Sequence, residues 1–259
     1  MVAEYSLERY KNGEASKNTK SEPDFEAFKT EKPEFKSNNI LLPTIESLPD
    51  THYAKSYVQS RKIPKEFESK LYFAEDFKAF IDDLGIEKDG LRENDPRLVI
   101  PFYNKERELI GLQGRALGES KLRYITVKLH EDNKKVYGLD HLDTDEMIYV
   151  VEGPIDSMFL NNAVATMDSN LSSIADIIDK TKVVLVYDNE PRNKDIVRTM
   201  GAAIDEHFNV VIWPEMIVEK DINEMILAGF TKEDLQDIIE KNTFVNLSAK
   251  MRFINWKKV

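Results

Sequence analysis

The chain of 259 residues contains no cysteine. That excludes disulfides, thiol catalysis and any zinc site built on cysteine. Histidine is scarce as well. The four, at 52, 130, 141 and 207, show no metal-ligand spacing, so no zinc is expected in this chain. No apolar run approaches the ~20 residues needed to cross a bilayer. Met1-Val2-Ala3-Glu4 lacks the basic-then-apolar layout of a secretory signal. No membrane partner is expected, and a cytosolic setting is the simplest reading. Gly111 and Gly114 fit neither a Walker loop nor a dinucleotide fingerprint, so no ATPase motor is indicated. Positive charge is also short: 36 Lys and Arg face 47 Asp and Glu, a net charge of −11. Such a chain binds DNA weakly by itself.

The charge is unevenly placed. Residues 1–50 carry net −3, residues 51–130 net +2 and residues 131–259 net −10. The middle segment alone has a basic excess. Residues 1–47 are polar and weakly periodic and read as a flexible lead, with a short amphipathic piece at Phe25–Phe28. From 48 to 143 the pattern predicts a helix over 52–61 capped by Thr51 and a second over 74–84. A hairpin of 98–103 with 108–113 and a strand at 123–127 follow. From 144 to 230 strands and helices alternate: strands at 147–151, 163–167, 182–187 and 209–213, helices from about 155, at 170–179, 194–206 and 221–228. That alternation predicts a parallel sheet flanked by helices. A helical segment, 231–259, closes the chain, with a helix at 232–241 and with Trp256 as a packed anchor. There is no internal repeat.

Two strands end in acidic turns. Met147–Val151 runs into Glu152-Gly153-Pro154-Ile155-Asp156, and Val183–Tyr187 runs into Asp188-Asn189-Glu190. In an open α/β sheet, ligands bind beyond the carboxyl ends of the strands. Gly153 permits a tight turn and Pro154 suits a first helical turn. Asp156 then lies one turn down and can point back. Asp188 and Glu190, two apart, project to one face of an extended segment. A third element, Lys220-Asp221-Ile222-Asn223-Glu224, again opens a helix after a strand. A lone Asp-x-Glu means little, since surface carboxylates at strand ends are common. Three such elements in order gather carboxylates that repel one another, and the usual remedy is a divalent cation such as Mg²⁺. That points to phosphate chemistry.

The run Val150–Asp156, with Val186–Glu190, resembles the toprim domain of bacterial-type primases, topoisomerases and some nucleases. The resemblance is closer to the primase subunit of T-even-type phages. Pro96–Pro101, Gln113–Leu117, Arg123–Thr126 and Val136–Gly138 look like the upstream catalytic subdomain of that branch. Asp188–Arg192, Lys220–Asn223 and Ala249–Arg252 also fit, so the resemblance covers about residue 48 to the end. It implies an α/β fold, a toprim domain preceded by a smaller α+β primase-core subdomain. It implies a primase, a nucleotidyltransferase that lays short RNA primers on single-stranded DNA during phage replication, in the cytoplasm of an infected bacterium. Glu152 becomes the general base or proton relay for the attacking 3′-hydroxyl. Asp188, Glu190 and Asp221, supported by Asp156 and with Glu152 among the ligands, become holders of Mg²⁺ or Mn²⁺. Arg115, Arg123, Lys135 and Arg192 become contacts to ribonucleoside triphosphate or template. The implied partners are the template, the nucleotides and a replicative hexameric helicase. Such primases carry a cysteine-rich zinc module that reads the start site; this chain lacks the cysteines, so the module is expected on a separate polypeptide, or lost, or cut off. A toprim nuclease and a non-catalytic helicase-coupling module stay open as alternatives.

Overall fold

The computed structural model describes residues 40–129, 134–167 and 170–259. The expected lead and its Phe25–Phe28 piece lie outside the described residues, apart from the last few positions of the lead; His130 lies outside them too. The described residues belong to one compact unit. It holds two sheets.

The first sheet is antiparallel, in the order β1 (Tyr72–Ala74), β2 (Arg97–Tyr103), β3 (Leu109–Ala116), β4 (Tyr124–Lys128). Helix α1 (Tyr53–Ser60) precedes it, and α2 (Phe77–Asp83) joins β1 to β2. The predicted cap moves by one residue. His52, not Thr51, is the N-cap of α1, its Nδ1 accepting from the Ala54 amide at 3.2 Å. The hairpin β2–β3 is buried along almost its whole length. Arg97 is 1% exposed. Its guanidinium donates to Asp95 and to the Gly114 and Leu122 carbonyls at 2.8–2.9 Å and lies over the Phe77 ring. A Cβ on Gly114 would stand 2.8 Å from both Arg97 Cδ and Phe77 Cζ. Glycine is therefore required there by space, and it lets β3 lie flat on that cluster.

The second sheet has the order β6-β5-β7-β8-β9. Its strands are β5 (Ile148–Val151), β6 (Ala163–Ala165), β7 (Val183–Leu185), β8 (Asn209–Val211) and β9 (Thr243–Phe244). Pairings from β6 to β8 are parallel and β9 is antiparallel. The buried runs IYVV and VVL make β5 and β7 central strands covered on both faces. Helices α3 (Pro154–Ser157), α4 (Lys194–Asp205), α5 (Ile222–Ala228), α6 (Lys232–Lys241) and α7 (Asn246–Trp256) complete the unit.

Several elements are shorter than the sequence predicts, among them α2, β7 and β8. Strand β6 stops at Ala165 because Met167 takes φ +65°. The helix expected at 170–179 is a 3₁₀ segment, Leu171–Asp176. Hydroxyls of Ser172 and Ser173 bond to Asn170 there, and such local bonds compete with an α-helical ladder. Helix α3 is one turn long. The tail from 231, expected to be helical, also adds β9 to the sheet. Among the described residues no helix is long and apolar enough to cross a membrane.

Candidate active site

Strand order fixes where the site lies. The chain goes from β5 out to β6 on one side, then returns to β7 on the other. The reversal leaves a crevice beyond the carboxyl ends of β5 and β7. Glu152 directly follows β5 and Asp188 follows β7. The Glu152 carbonyl accepts from the Met167 amide at 2.9 Å, which continues the β5–β6 pairing one step past the strand and fixes the residue.

The three acidic elements meet there. Asp156 sits in α3 and its Oδ1 accepts from the Asn223 amide in the first turn of α5, at 2.9 Å. Asp221 is the N-cap of α5, its Oδ1 accepting from the Glu224 amide at 2.8 Å. Asp156, Asp188 and Asp221 line one small hollow of about 10 Å³ together with Trp213. Burial, then the charges of Asp221 and Glu152, push the Asp156 carboxyl up to about 7 against the Asn223 hydrogen bond. Burial, then Asp156 and Glu152, push Asp188 up to about 8 although Lys220 opposes this. Glu190 faces Asp188 across the Lys220 ammonium, whose Nζ is 3.4 Å from Glu190 Oε2 and 3.8 Å from Asp188 Oδ2. Partial burial lowers the Lys220 pKa, but Glu190 and Asp188 outweigh it and hold the group above its ordinary value.

Gly153 has a different role from the one its turn suggests. Its φ is −104°, ordinary for any residue. A Cβ there would stand 2.9 Å from Asp156 Oδ2. Glycine leaves the space into which the Asp156 carboxylate folds. Gly153→Ala is expected to displace that carboxylate at little cost to folding, within about 1 kcal/mol. Activity of the site should fall by about 10-fold or more, since small misplacements of reacting groups are costly. Equal melting temperatures with unequal turnover would bear this out; equal turnover would refute it.

The carboxylate set fits a hard divalent cation. Every donor is an oxygen, and Asp156 and Asp188 resist ionisation because they are buried and lie beside other carboxylates. Among the described residues, no three Asp, Glu or His side chains form a ready-made cage. Mg²⁺ does not need one, because it commonly takes one or two carboxylates with water and substrate phosphate filling the rest. No zinc cluster is found among the described residues either. His52 caps α1, His141 pairs with Asp140, and His207 bonds Asn246.

Arg115 and Tyr124 of the first sheet, with Tyr57 and Arg61 at the end of α1, form a basic and aromatic layer whose Tyr124 senses Asp156. Arg115 is 6% exposed, and its Nε has no hydrogen-bond partner. Its guanidinium lies 4.4 Å from the Tyr124 ring, its cross-strand neighbour, and 5.8 Å from the Tyr57 ring. Burial raises the Tyr124 hydroxyl, and the charges it senses include Arg115, Asp156 and Arg61. Arg61, which no motif in the sequence singles out, belongs to this layer. Its Nη1 donates to Asn223 Oδ1 at 3.1 Å, and Asn223 Nδ2 returns a bond to the Arg61 carbonyl at 2.8 Å. Lys62 Nζ reaches the Ile226 carbonyl at 3.0 Å. The end of α1 is thus tied to the helix that carries Asp221. The paired basic residues closing a predicted helix were the available signal. Arg123 and Lys135 are exposed, and Arg192 opens onto an adjoining cleft of about 810 Å³ with Asn189, Trp213, Met216, Arg252 and Lys258. The structure therefore gathers Glu152, Asp156, Asp188 and Asp221, puts Glu190 beside them, buries Arg115 against Tyr124, which senses Asp156, and leaves the other three cations on the surface.

Comparison with known proteins bears on the fold. The structure superimposes on the zinc-binding and RNA polymerase domains of Aquifex aeolicus primase with TM-score 0.58 at 24% identity, covering 82% of this chain and 65% of that one. It also matches the catalytic domain of DnaG primase bound to single-stranded DNA, with TM-score 0.56 at 18% identity, over 79% of this chain and 78% of that one. The fold is that of a primase catalytic core. In sequence, the chain is 32% identical to the DNA primase of phage T4 over 218 residues, 83% of this chain. The chain spans 63% of the T4 primase and 65% of the Aquifex chain of zinc-binding and RNA polymerase domains, less than two thirds of each. No protein-family model matches it. In the primase-core fold the acidic crevice belongs to the toprim sheet β5–β9, and Arg115 to the upstream α+β part.

Proposed function

We propose that this chain is the catalytic core of a DNA primase, joining ribonucleotides into short primers on single-stranded DNA. The observation that carries the reading is the crowding of Glu152, Asp156, Asp188 and Asp221 opposite the partly buried basic layer of Arg115 and Arg61. Acids alone serve hydrolysis equally well. Cations across the crevice suit a triphosphate, which Arg can grip through parallel hydrogen bonds.

In the proposed reaction the 3′-hydroxyl oxygen of one nucleotide bonds to the α-phosphorus of the next. The bond from that phosphorus to the bridging oxygen breaks and pyrophosphate leaves. Glu152 takes or relays the hydroxyl proton. Arg115 holds the triphosphate, with Arg123, Lys135 and Arg192 as outer contacts to nucleotide or template. Asp188, Glu190 and Asp221, with Asp156 and Glu152 in support, would hold Mg²⁺ or Mn²⁺, which would polarise the phosphate and offset the charge of the leaving group. The partners proposed are the template strand, ribonucleoside triphosphates, a replicative hexameric helicase and a separate zinc-binding primase polypeptide, in an infected bacterial cytoplasm.

The test incubates the chain with labelled ribonucleotides, single-stranded DNA and Mn²⁺, alone and with helicase and zinc polypeptide added. Template-dependent oligoribonucleotides are expected in at least the complete mixture. Cleavage of the DNA instead would make the chain a nuclease. Helicase binding without either product would make it a coupling module.

A further inference from the structure

The middle residue of the second acidic turn is heavily tied. The Asn189 amide N–H donates to the Lys220 carbonyl at 2.6 Å. Its Nδ2 donates to the Ile217 and Glu219 carbonyls at 2.9 and 3.2 Å. Its Oδ1 accepts from the Trp256 indole Nε1 at 3.1 Å. A side chain with two donors and an acceptor on one short stem is what these partners require, and aspartate, serine or alanine cannot supply it.

These partners come from two places. The first is the segment 217–220 that delivers Asp221. The second is the last residue of α7. That helix is itself held firmly. Ala249 is buried, Phe253 lies 3.4 Å from where a Cβ on Gly201 of α4 would stand, and Lys250 pairs with Asp205 at 2.6 Å. Just past α7, the Lys258 amide donates to the Pro191 carbonyl at 2.8 Å. The end of α7 thus grips the turn at both 189 and 191. Within the turn itself, the Glu190 amide donates to the Asp188 carbonyl, and Asn193 donates from its amide to the Glu190 carbonyl at 2.9 Å and from Nδ2 to Glu190 Oε2 at 3.3 Å, but none of these bonds reaches the segment that delivers Asp221.

We propose that Asn189 is the positioning residue that sets Asp188 and Glu190 against Asp221. Through the Trp256 indole N–H, helix α7 becomes part of the divalent-cation site while contributing no ligand. This rests on the reading of the acidic crevice as a cation site. Asn189 touches no reacting atom; it acts by holding its two neighbours. Without the brace, the carboxylates must be reorganised at each binding event, and cation affinity weakens.

The test measures Mn²⁺ affinity of the intact chain by calorimetry, beside melting temperature and primer synthesis. Trp256→Phe keeps an aromatic ring and removes the donor. It should weaken Mn²⁺ binding by about 3- to 10-fold, the range one hydrogen bond supports. Asn189→Ala, which loses three side-chain bonds, should weaken it further. Synthesis in Trp256→Phe should require correspondingly more Mn²⁺ and recover at saturation, a split that a general loss of folding would not give. Lys78→Ala, which removes the ion pair with Asp82 inside α2 and touches neither the turn nor α7, should leave Mn²⁺ affinity unchanged. If wild type binds Mn²⁺ and both brace variants bind it equally well, the brace is not a positioning device. Affinity lost only in step with melting temperature overturns the proposal too. If wild type binds no Mn²⁺, the reading of the crevice as a cation site fails first, and the brace with it.

Discussion

Glu152→Gln is expected to lower ribonucleotide incorporation by about 10²- to 10⁴-fold, the range for removal of a general base. The substitution conserves volume, and the backbone at 152 is held independently of the side chain by the bond from Met167. Gln cannot accept the hydroxyl proton, so the loss should fall on turnover more than on nucleotide binding. A second signature separates this from simple damage. Asp156 and Asp188 both sense the Glu152 charge, so its removal should ease their repulsion. The cation-free variant should therefore melt at or above the wild-type temperature at pH 8. Inactivity with a higher melting point fits a proton-handling carboxylate in a strained cluster. Inactivity with a lower one points to misfolding, and retained activity would remove Glu152 from the chemistry.

How much of this was legible in the sequence depends on which interactions are local. The acidic turns were, because each follows a short β-branched apolar run that reads as a buried strand, and strand ends define the binding edge of such sheets. The parallel core was legible for the same reason. Arg115 could be singled out between Gly114 and Ala116, but the space Gly114 must leave for Arg97 and Phe77 is set by strand pairing and was not visible. Arg61 was missed because its partner Asn223 lies 162 residues away. Strands β1 and β9 have three and two residues, too short for periodicity to show. Met167, which ends β6 early, adopts a positive φ that its type does not advertise. Trp256 was readable as a packed anchor, while its bond to Asn189 was not, because nothing local predicts that a chain end returns to the site.

The acidic crevice should make the cation-free protein lose stability as pH rises. Asp156 and Asp188 have carboxyls pushed up to about 7 and about 8, against an ordinary value of 3.8. In the unfolded chain both ionise near pH 4. Between pH 4 and 8 the folded state therefore holds protons that the unfolded state has released. Linkage then requires stability to fall with pH across that window and to level off above about 8. Every tenfold difference in proton affinity between the folded and unfolded chain corresponds to about 1.4 kcal/mol. The two groups share one repulsion, so their contributions do not simply add; a total on the order of several kcal/mol is expected. For a chain of this size that lowers the melting temperature by roughly 10 °C between pH 5 and pH 8. Saturating Mg²⁺ or Mn²⁺ should restore most of the loss at pH 8 and little at pH 5, where protons already neutralise the carboxyls. Asp188→Asn should flatten the profile without added cation, because it removes one ionisation and relieves the other. It should also abolish the cation-dependent rise. A melting temperature that is constant from pH 5 to 8 in wild type, or a cation effect that survives in Asp188→Asn, would show that the crevice is not the place where charge and cation are balanced.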